Sequence, residues 1–343
     1  MKIIVTGGAG FIGGNYIHTM LKKYPEDEII CVDALTYAGN LETLDPIWSN
    51  KNFIFVKANI SERETMYDLF EREKPDVVIN FAAESHDDNS LANPGLFLNT
   101  NLFGTSVLLD ACQKYGIKHF HQVSTGKVYG GLPLDKSDVS FSETAALHPF
   151  RPYAASKASA DLLALSYYTT FGLPVTISRC ANNYGPYQFP DKFIPLIINN
   201  GLNNKVLPIY GGGKNEREWV YVADYCHAID LIVRQGKAGE IYNIGGNSEK
   251  TNLQVVQAIL KELGKGEEDV KYVNEQAGHN KQMVLDAAKI KNELGWVPAT
   301  SFEEGIKKTI IWYISHKLWN QRIINDEYQK YYKKLYFNKK FRF

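Results

Sequence analysis

The chain is poor in cysteine: its 343 residues hold four, Cys31, Cys112, Cys180 and Cys226, scattered with no metal-ligand spacing. A disulfide-stapled scaffold and a Cys-based metal centre are both excluded, and no metal is expected. Cys31 and Cys180 fall inside β-like runs, so buried thiols in a reducing compartment are the expected state. Charge of one sign is also lacking, because 38 Lys and Arg stand against 38 Asp and Glu. That balance gives no global attraction to nucleic acid or to a membrane surface. No apolar run is long enough to span a bilayer, and the N-terminus enters a β-branched run at once, without the regions of a leader. A cytoplasmic location is the expectation. Internal repeats and low-complexity tracts are missing as well. The length allows one large domain or two moderate ones with a sizeable core.

Residues 1–33 read as a βαβ unit. Lys2-Ile3-Ile4-Val5-Thr6 is a short β-branched run, and Gly7-Gly8-Ala9-Gly10-Phe11-Ile12-Gly13 turns it into a helix ending near Lys23. Gly7, Gly10 and Gly13 let the backbone turn tightly, approach a pyrophosphate and pack helix on strand, with the helix N-terminus facing the phosphates. Glu28-Ile29-Ile30-Cys31-Val32-Asp33 then forms a second strand. Asp33, roughly 20 residues past the glycines, is placed for the adenosine ribose hydroxyls and would repel a 2′-phosphate. NAD is therefore favoured over NADP.

Further strands are expected at Asn52 to Lys57, Val77 to Phe81, His119 to Ser124 and Val175 to Arg179, separated by helical patterns at Glu62 to Glu73 and Leu102 to Tyr115. This alternation predicts an α/β fold with a Rossmann-type, doubly wound parallel sheet. Beyond about residue 180 the texture changes to loops rich in Asn, Gly and Pro with short helices, as in Asn182-Asn183-Tyr184-Gly185-Pro186. We read a smaller C-terminal substrate-binding lobe, some of whose elements, such as Glu240 to Ile244, return to the sheet. The expected division is 1–180, 181–320 and a basic, aromatic extension at 321–343. That extension is read as packing its aromatic stripe on the protein's own surface.

Tyr153 and Lys157, four apart in Tyr153-Ala154-Ala155-Ser156-Lys157, share one helical face. An ammonium beside a phenol, with a nicotinamide ring nearby, is expected to favour the phenolate and let it take a proton from an alcohol whose carbon gives up hydride. The strand from His119 runs out into Ser124-Thr125-Gly126-Lys127, at the carboxyl edge of the sheet where ligands of open α/β folds bind. Thr125 would hydrogen-bond the oxygen being oxidised, beside Tyr153.

Gly7 to Gly13, Asp33-Ala34-Leu35-Thr36-Tyr37-Ala38-Gly39-Asn40-Leu41, Asn80-Phe81-Ala82-Ala83-Glu84-Ser85-His86, Tyr153 to Lys157 and Arg179-Cys180-Ala181-Asn182-Asn183-Tyr184-Gly185-Pro186-Tyr187-Gln188 together resemble the dTDP-glucose 4,6-dehydratase family of extended short-chain dehydrogenases. The likeness runs to about Trp319. It implies a tightly held NAD, a nucleotide-hexose substrate, transient oxidation at sugar C4 and a homodimer formed through helices. It also implies that Phe11, Ile12, Asp33, Asn59, Ile60, Ala82, Thr100, Tyr153 and Lys157 contact NAD. Asn59 departs from the Asp usual there; an amide both accepts from and donates to an adenine edge. On the substrate side Asn182, Lys192, Pro208, Ile209, Tyr210, Arg217 and Asn252 match positions that hold the nucleobase and diphosphate, for which a guanidinium at 217 suits by geometry. A pyrimidine nucleotide, dTDP or UDP, is the resulting expectation.

Departures from the family cluster around the sugar. After the Thr, the dehydratases carry Asp-Glu, which protonate the C6 hydroxyl and take the C5 proton; this chain has Gly126 and Lys127. The family run Ser-His-Val-Asp-Arg-Ser reads Ser85-His86-Asp87-Asp88-Asn89-Ser90, and Gly-His-Asp-Arg-Arg-Tyr reads Gly278-His279-Asn280-Lys281-Gln282-Met283. His86 and His279 stay as substrate-side candidates, with a phosphate contact weakened beside the second. Two enzymatic readings stand: a 4,6-dehydratase in which Lys127 serves as acid/base group, its pKa lowered by neighbouring cations, or an epimerase or 4-keto-sugar reductase that has lost water elimination. A non-catalytic nucleotide-sugar-binding protein is the third, disfavoured because a binder has no use for Thr125, Tyr153 and Lys157.

Overall fold

A computed structural model of the chain describes residues 1–133, 139–268, 270–273 and 281–323. Seven parallel strands form its central sheet: β1 (Lys2–Thr6), β2 (Glu28–Asp33), β3 (Phe53–Lys57), β4 (Val77–Asn80), β5 (His119–Thr125), β6 (Val175–Cys180) and β7 (Ile241–Ile244), in the order β7-β6-β5-β4-β1-β2-β3. Strands buried on both faces read as continuous apolar runs, and Ile3, Ile4, Val5, Ile29, Ile30 and Val32 have no exposed surface. Helices α1 (Phe11–Lys23), α2 (Arg63–Glu73), α3 (Thr105–Tyr115), α4 (Pro152–Phe171) and α5 (Val222–Gln235) flank the sheet. Tyr16, Ile17 and Met20 of α1 join one core with Ile229 and Ile232 of α5. On the opposite face Leu69, Phe70, Leu108 and Leu109 form the other.

Helix α3 begins three residues later than its sequence pattern suggests. A wider π-helical stretch, Leu98–Gly104, precedes it. Such bulges occur frequently at functional sites, and Thr100 within this one faces the cofactor cleft described below.

The expected return to the sheet is realised by β7, which pairs with β6 from Ile241 opposite Ile177 to Ile244 opposite Cys180. Around that edge the remaining chain builds a lobe with its own core of Ile197, Ile198, Val255, Val256, Ile306 and Ile310. Asn182–Tyr184, read as loop from its Asn and Gly, is a short strand instead: it pairs with Trp219–Tyr221, and the Asn182 amide donates to the Glu218 carbonyl at 3.1 Å. Glu216–Thr251 to Glu218–Glu249 pairing adds a third strand to that sheet. Trp319, just ahead of the C-terminal extension, and Ile323, within its first residues, are buried against the lobe core; residues 324–343, which carry the aromatic stripe of the extension, lie outside the described residues. All four cysteines are buried free thiols.

Buried polar side chains fix the carboxyl edge of the sheet. Thr6 donates to Asn80 at 2.7 Å, and the Asn80 amide donates to Gln122 at 2.9 Å and to Thr105 at 3.1 Å. Asp161 of α4 accepts from Ser124 at 2.9 Å and from Arg179 at 2.9 Å, so α4 is locked onto the ends of β5 and β6. A buried polar network of this kind favours one arrangement over several, although Gln122 Nε2 and Asp161 Oδ1 have no partner among the described residues.

Candidate active site

At the carboxyl edge, the β1–α1 turn forms one wall of a long cleft. Gly7 has φ +68°, and a Cβ there would lie 2.7 Å from the Ala82 nitrogen; at Gly13 it would lie 2.4 Å from the Gly7 carbonyl oxygen. Gly10 starts α1 with no side-chain cap, so the first N–H groups of the helix remain available to an anion. Asp33 ends β2 inside the cleft. Its carboxylate accepts from the Ala9 and Leu35 amides at 2.9 and 2.8 Å, while burial pushes its pKa above the usual carboxylate range against those two bonds. The cleft is lined by Gly7, Gly10, Phe11, Ile12, Gly13, Asp33, Asn59, Ile60, Ala82, Thr100, Tyr153 and Lys157, so every cofactor candidate from the sequence meets there. A glycine-walled cradle, a helix N-terminus and an acid at the second strand fit a dinucleotide with a free ribose 2′-hydroxyl. Asn59 differs in one detail from its sequence reading. Its carbonyl oxygen is committed to the Ser61 amide and hydroxyl, at 3.0 and 2.8 Å, leaving the amide nitrogen for a ligand.

Pro152 occupies the first turn of α4 and delivers Tyr153 and Lys157 to the cleft. Asn101 holds this turn, donating to Ser156 at 2.9 Å and to the Glu84 carbonyl at 3.0 Å. The protein's own groups do not by themselves lower the Tyr153 pKa, and the expectation also draws on the nicotinamide charge. Burial pushes the Tyr153 phenol up, and the Asp87 charge adds to it; Lys192 and a hydrogen bond with Thr125 oppose. Lys157 instead donates to the Val123 carbonyl at 2.7 Å. Burial brings its own pKa down to about 8, with Asp161 opposing. Thr125 ends β5, hydrogen-bonds with Tyr153, and accepts from the Lys127 amide at 3.3 Å.

Lys127 lies over the Tyr153 ring, with Nζ 5.6 Å from the ring centre, and is ion-paired with Asp87. The sequence reading noted the extra anion at 87 but not its partner, because the two are brought together only when Asp87–Ala92 forms a short helix across from β5. Arg151, just ahead of α4, binds Asp88 at 3.0 Å and was also missed. Nearby, His86 Nε2 stands 3.7 Å from Asp191, which Lys192 approaches to 3.5 Å. Burial first, and Lys192 second, lower the His86 pKa to about 4, so the imidazole is neutral at pH 7. Gly126 is closed off: a Cβ there would meet Met283 Sδ at 2.8 Å and Leu285 Cδ2 at 2.9 Å.

The substrate-side candidates divide. Lys192 lines the cleft itself. Asn182, Arg217 and Asn252 gather on or beside the three-stranded lobe sheet, where Arg217 is opposite Lys250 and the Asn252 amide donates to the Asn215 carbonyl at 2.9 Å. Pro208, Ile209 and Tyr210 form a strand paired with Lys271 to Val273, and the Ile209 side chain belongs to the lobe core. His279 lies outside the described residues. Among the described residues no cluster of three or more His, Cys, Asp and Glu is placed to hold a metal, and no helix is long and apolar enough to cross a membrane.

The sequence model of the GDP-mannose 4,6 dehydratase family matches residues 4–309. A dTDP-glucose 4,6-dehydratase from Xanthomonas campestris is 43% identical over 95% of this chain and 97% of its own. A dTDP-glucose 4,6-dehydratase from Streptomyces venezuelae, solved with NAD bound, superposes with a TM-score of 0.90 at 42% identity, covering 94% of this chain and 100% of that one. UDP-glucose 4-epimerase from Thermotoga maritima, solved with UDP-glucose, gives a TM-score of 0.85 at 32% identity, covering 92% and 99%. The cleft geometry and these similarities have one reading: the chain belongs to the nucleotide-sugar 4,6-dehydratase family, NAD-dependent enzymes of the extended short-chain dehydrogenase group.

Proposed function

We propose that the protein dehydrates a pyrimidine-nucleotide hexose, dTDP- or UDP-linked, after transient oxidation at sugar C4. The single observation that carries this reading is the convergence of Thr125, Tyr153 and Lys157 with the glycine cradle and Asp33 on one cleft. Gly7, Gly10, Gly13, Phe11, Ile12 and Asp33 would hold the adenosine and pyrophosphate of NAD, and Asn59, Ile60, Ala82 and Thr100 its remaining length. When bound, NAD supplies the hydride acceptor and a positive charge near the phenol. Thr125 orients the C4 oxygen, and Tyr153 receives its proton. Lys157, fixed to the Val123 carbonyl, places a cation in the same buried space. Asn182, Lys192, Arg217 and Asn252, with the Pro208 to Tyr210 backbone, would hold the nucleotide, and His86 lies on the sugar side.

One observation favours a second reading, a 4-epimerase or keto-sugar reductase: Gly126 carries no acid and is covered by Met283 and Leu285. Incubation with dTDP-glucose and with UDP-glucose in heavy water separates the cases. Loss of water with deuterium at C5 is the expected result. Unchanged mass with inverted C4, or gain of two hydrogens from added reduced cofactor, would replace it by the second reading. Absence of any reduction of bound NAD would leave a binding protein.

We further infer a homodimer in the cytoplasm. Leu91, Leu96, Leu98 and Phe103 are exposed, as are Leu162 and Phe171 on the adjoining α4, apolar surface that a second copy would cover.

A further inference from the structure

We propose that Asp87 and Lys127 are the acid/base pair of the elimination, the Asp87 carboxylate taking the C5 proton of the 4-keto sugar and the Lys127 ammonium protonating the departing C6 hydroxyl. The assignment rests on the dehydratase reading above and names the groups that carry its second step.

C5 and C6 lie one and two bonds from C4, so groups acting on them must stand beside the phenol that acts at C4. Lys127 Nζ does so, 5.6 Å from the Tyr153 ring centre. Its partner Asp87 presents two unlike oxygens. Oδ2 is bound to Lys127, whereas Oδ1 is buried and has no hydrogen-bond partner among the described residues. A buried carboxylate oxygen left without a donor is costly in a purely structural ion pair, and it is the lone pair a base requires. Burial alone would raise the Asp87 pKa, but Lys127, Arg151 and Lys192 outweigh it and hold the carboxyl below its usual value. Asp87 therefore rests as the carboxylate, the base form the step consumes, with Lys127 ion-paired to its Oδ2. Gly126, beside them, has no proton to offer and is backed by apolar Met283 and Leu285.

The step balances. The C5–H bond breaks toward Asp87, its electron pair forms the C5–C6 double bond, and the C6–O bond breaks as Lys127 gives the oxygen its second hydrogen. Water leaves, with Asp87 neutral and Lys127 an amine. The hydride first removed from C4 re-enters at C6, and Asp87, its proton exchanged with solvent in the interval, returns one to C5. The proton that Tyr153 took from the C4 hydroxyl restores the Lys127 ammonium. Neither group ends the cycle changed.

The test separates the two half-steps, using the full chain with its bound NAD and dTDP-glucose in heavy water. Asp87→Asn and Lys127→Arg are expected to keep sugar-dependent reduction of NAD, seen by absorbance. Water loss and C5 deuteration should fall by about 10²- to 10⁴-fold, because an amide is no base and a guanidinium is too weak an acid. Asp87→Glu keeps a carboxylate and should recover part of both. Lys127→Arg preserves the ion pair, so it keeps the test open if the amide variant fails to fold. Wild-type water loss in Asp87→Asn, or equal loss of NAD reduction and elimination in both variants, would overturn the pair alone. A wild type that reduces NAD but releases no water from dTDP-glucose or UDP-glucose would overturn the dehydratase reading, and the pair with it.

Discussion

Lys157 is 3% exposed and bonded to a backbone carbonyl, and this burial sets a measurable titration. Its folded pKa of about 8 lies below the 10.5 of the free side chain. Between those values the unfolded chain binds more protons than the folded one, so stability from this residue rises with pH there; below about 8 its burial penalty is fully present. Unfolding free energies of wild type and Lys157→Met, compared at pH 7 and pH 10, should show the wild type gaining up to about 3 kcal/mol relative to the variant. At Tyr153 the expectation is kinetic: Tyr153→Phe keeps the ring against Phe97 but removes the proton acceptor. Sugar-dependent reduction of NAD should drop by about 10²-fold or more, with protein stability little changed. Single residues were legible where a local spacing carried the chemistry, as with Tyr153 and Lys157. The lysine's actual partner, the Val123 carbonyl, was not, since no spacing records where a long side chain ends. Asp87 and Lys127, 40 residues apart, illustrate the same gap between two charges in a sequence and an ion pair in space.

Between residues and fold, one clamp stands out: Glu218, in the lobe strand Glu216–Tyr221, is 1% exposed and, among the described residues, its carboxylate accepts from backbone amides alone. The Gly246 and Asn247 amides donate to Oε1 at 2.8 and 3.2 Å, and the Leu285 amide donates to Oε2 at 3.0 Å. It thereby ties the end of β7 to the segment that covers Gly126. Glu218→Gln points an NH2 group at one of these N–H donors and should cost about 1–3 kcal/mol. Burial, helped by Glu249, raises the carboxyl to about 7 against the three backbone bonds. The folded state therefore binds more protons than the unfolded one from about pH 4.5 to 7, and wild-type stability from this group falls as pH rises through that window. The deficit of the glutamine variant, measured by denaturant unfolding, should accordingly shrink between pH 5 and pH 8. Strands with buried apolar runs were read within about two residues of their ends, in keeping with the usual fraying of boundaries. Asn182–Tyr184 escaped because its strand character comes from Trp219–Tyr221, a partner far along the chain.

For the whole molecule, the exposed apolar residues on Leu98–Gly104 and α4 predict self-association. Leu98→Glu with Leu162→Glu should convert a dimer to a monomer in sedimentation or light scattering while leaving bound NAD in place, because neither residue lines the cleft. A monomeric wild type would dismiss that interface. The alternation of strands and helices made the sheet legible as a class, whereas the lobe's partition depended on pairings that no local pattern encodes. The late arrival of β7 beside β6 carries a further consequence, for folding and for descent. Until the chain has been made as far as Ile244, the apolar edge of β6 has no partner and offers itself to other chains. Because the sheet closes only after part of the lobe has been made, sheet and lobe are not consecutive modules along the chain, and substitution of single side chains such as those at 87, 126 and 127 is a direct route to altered sugar chemistry on this scaffold.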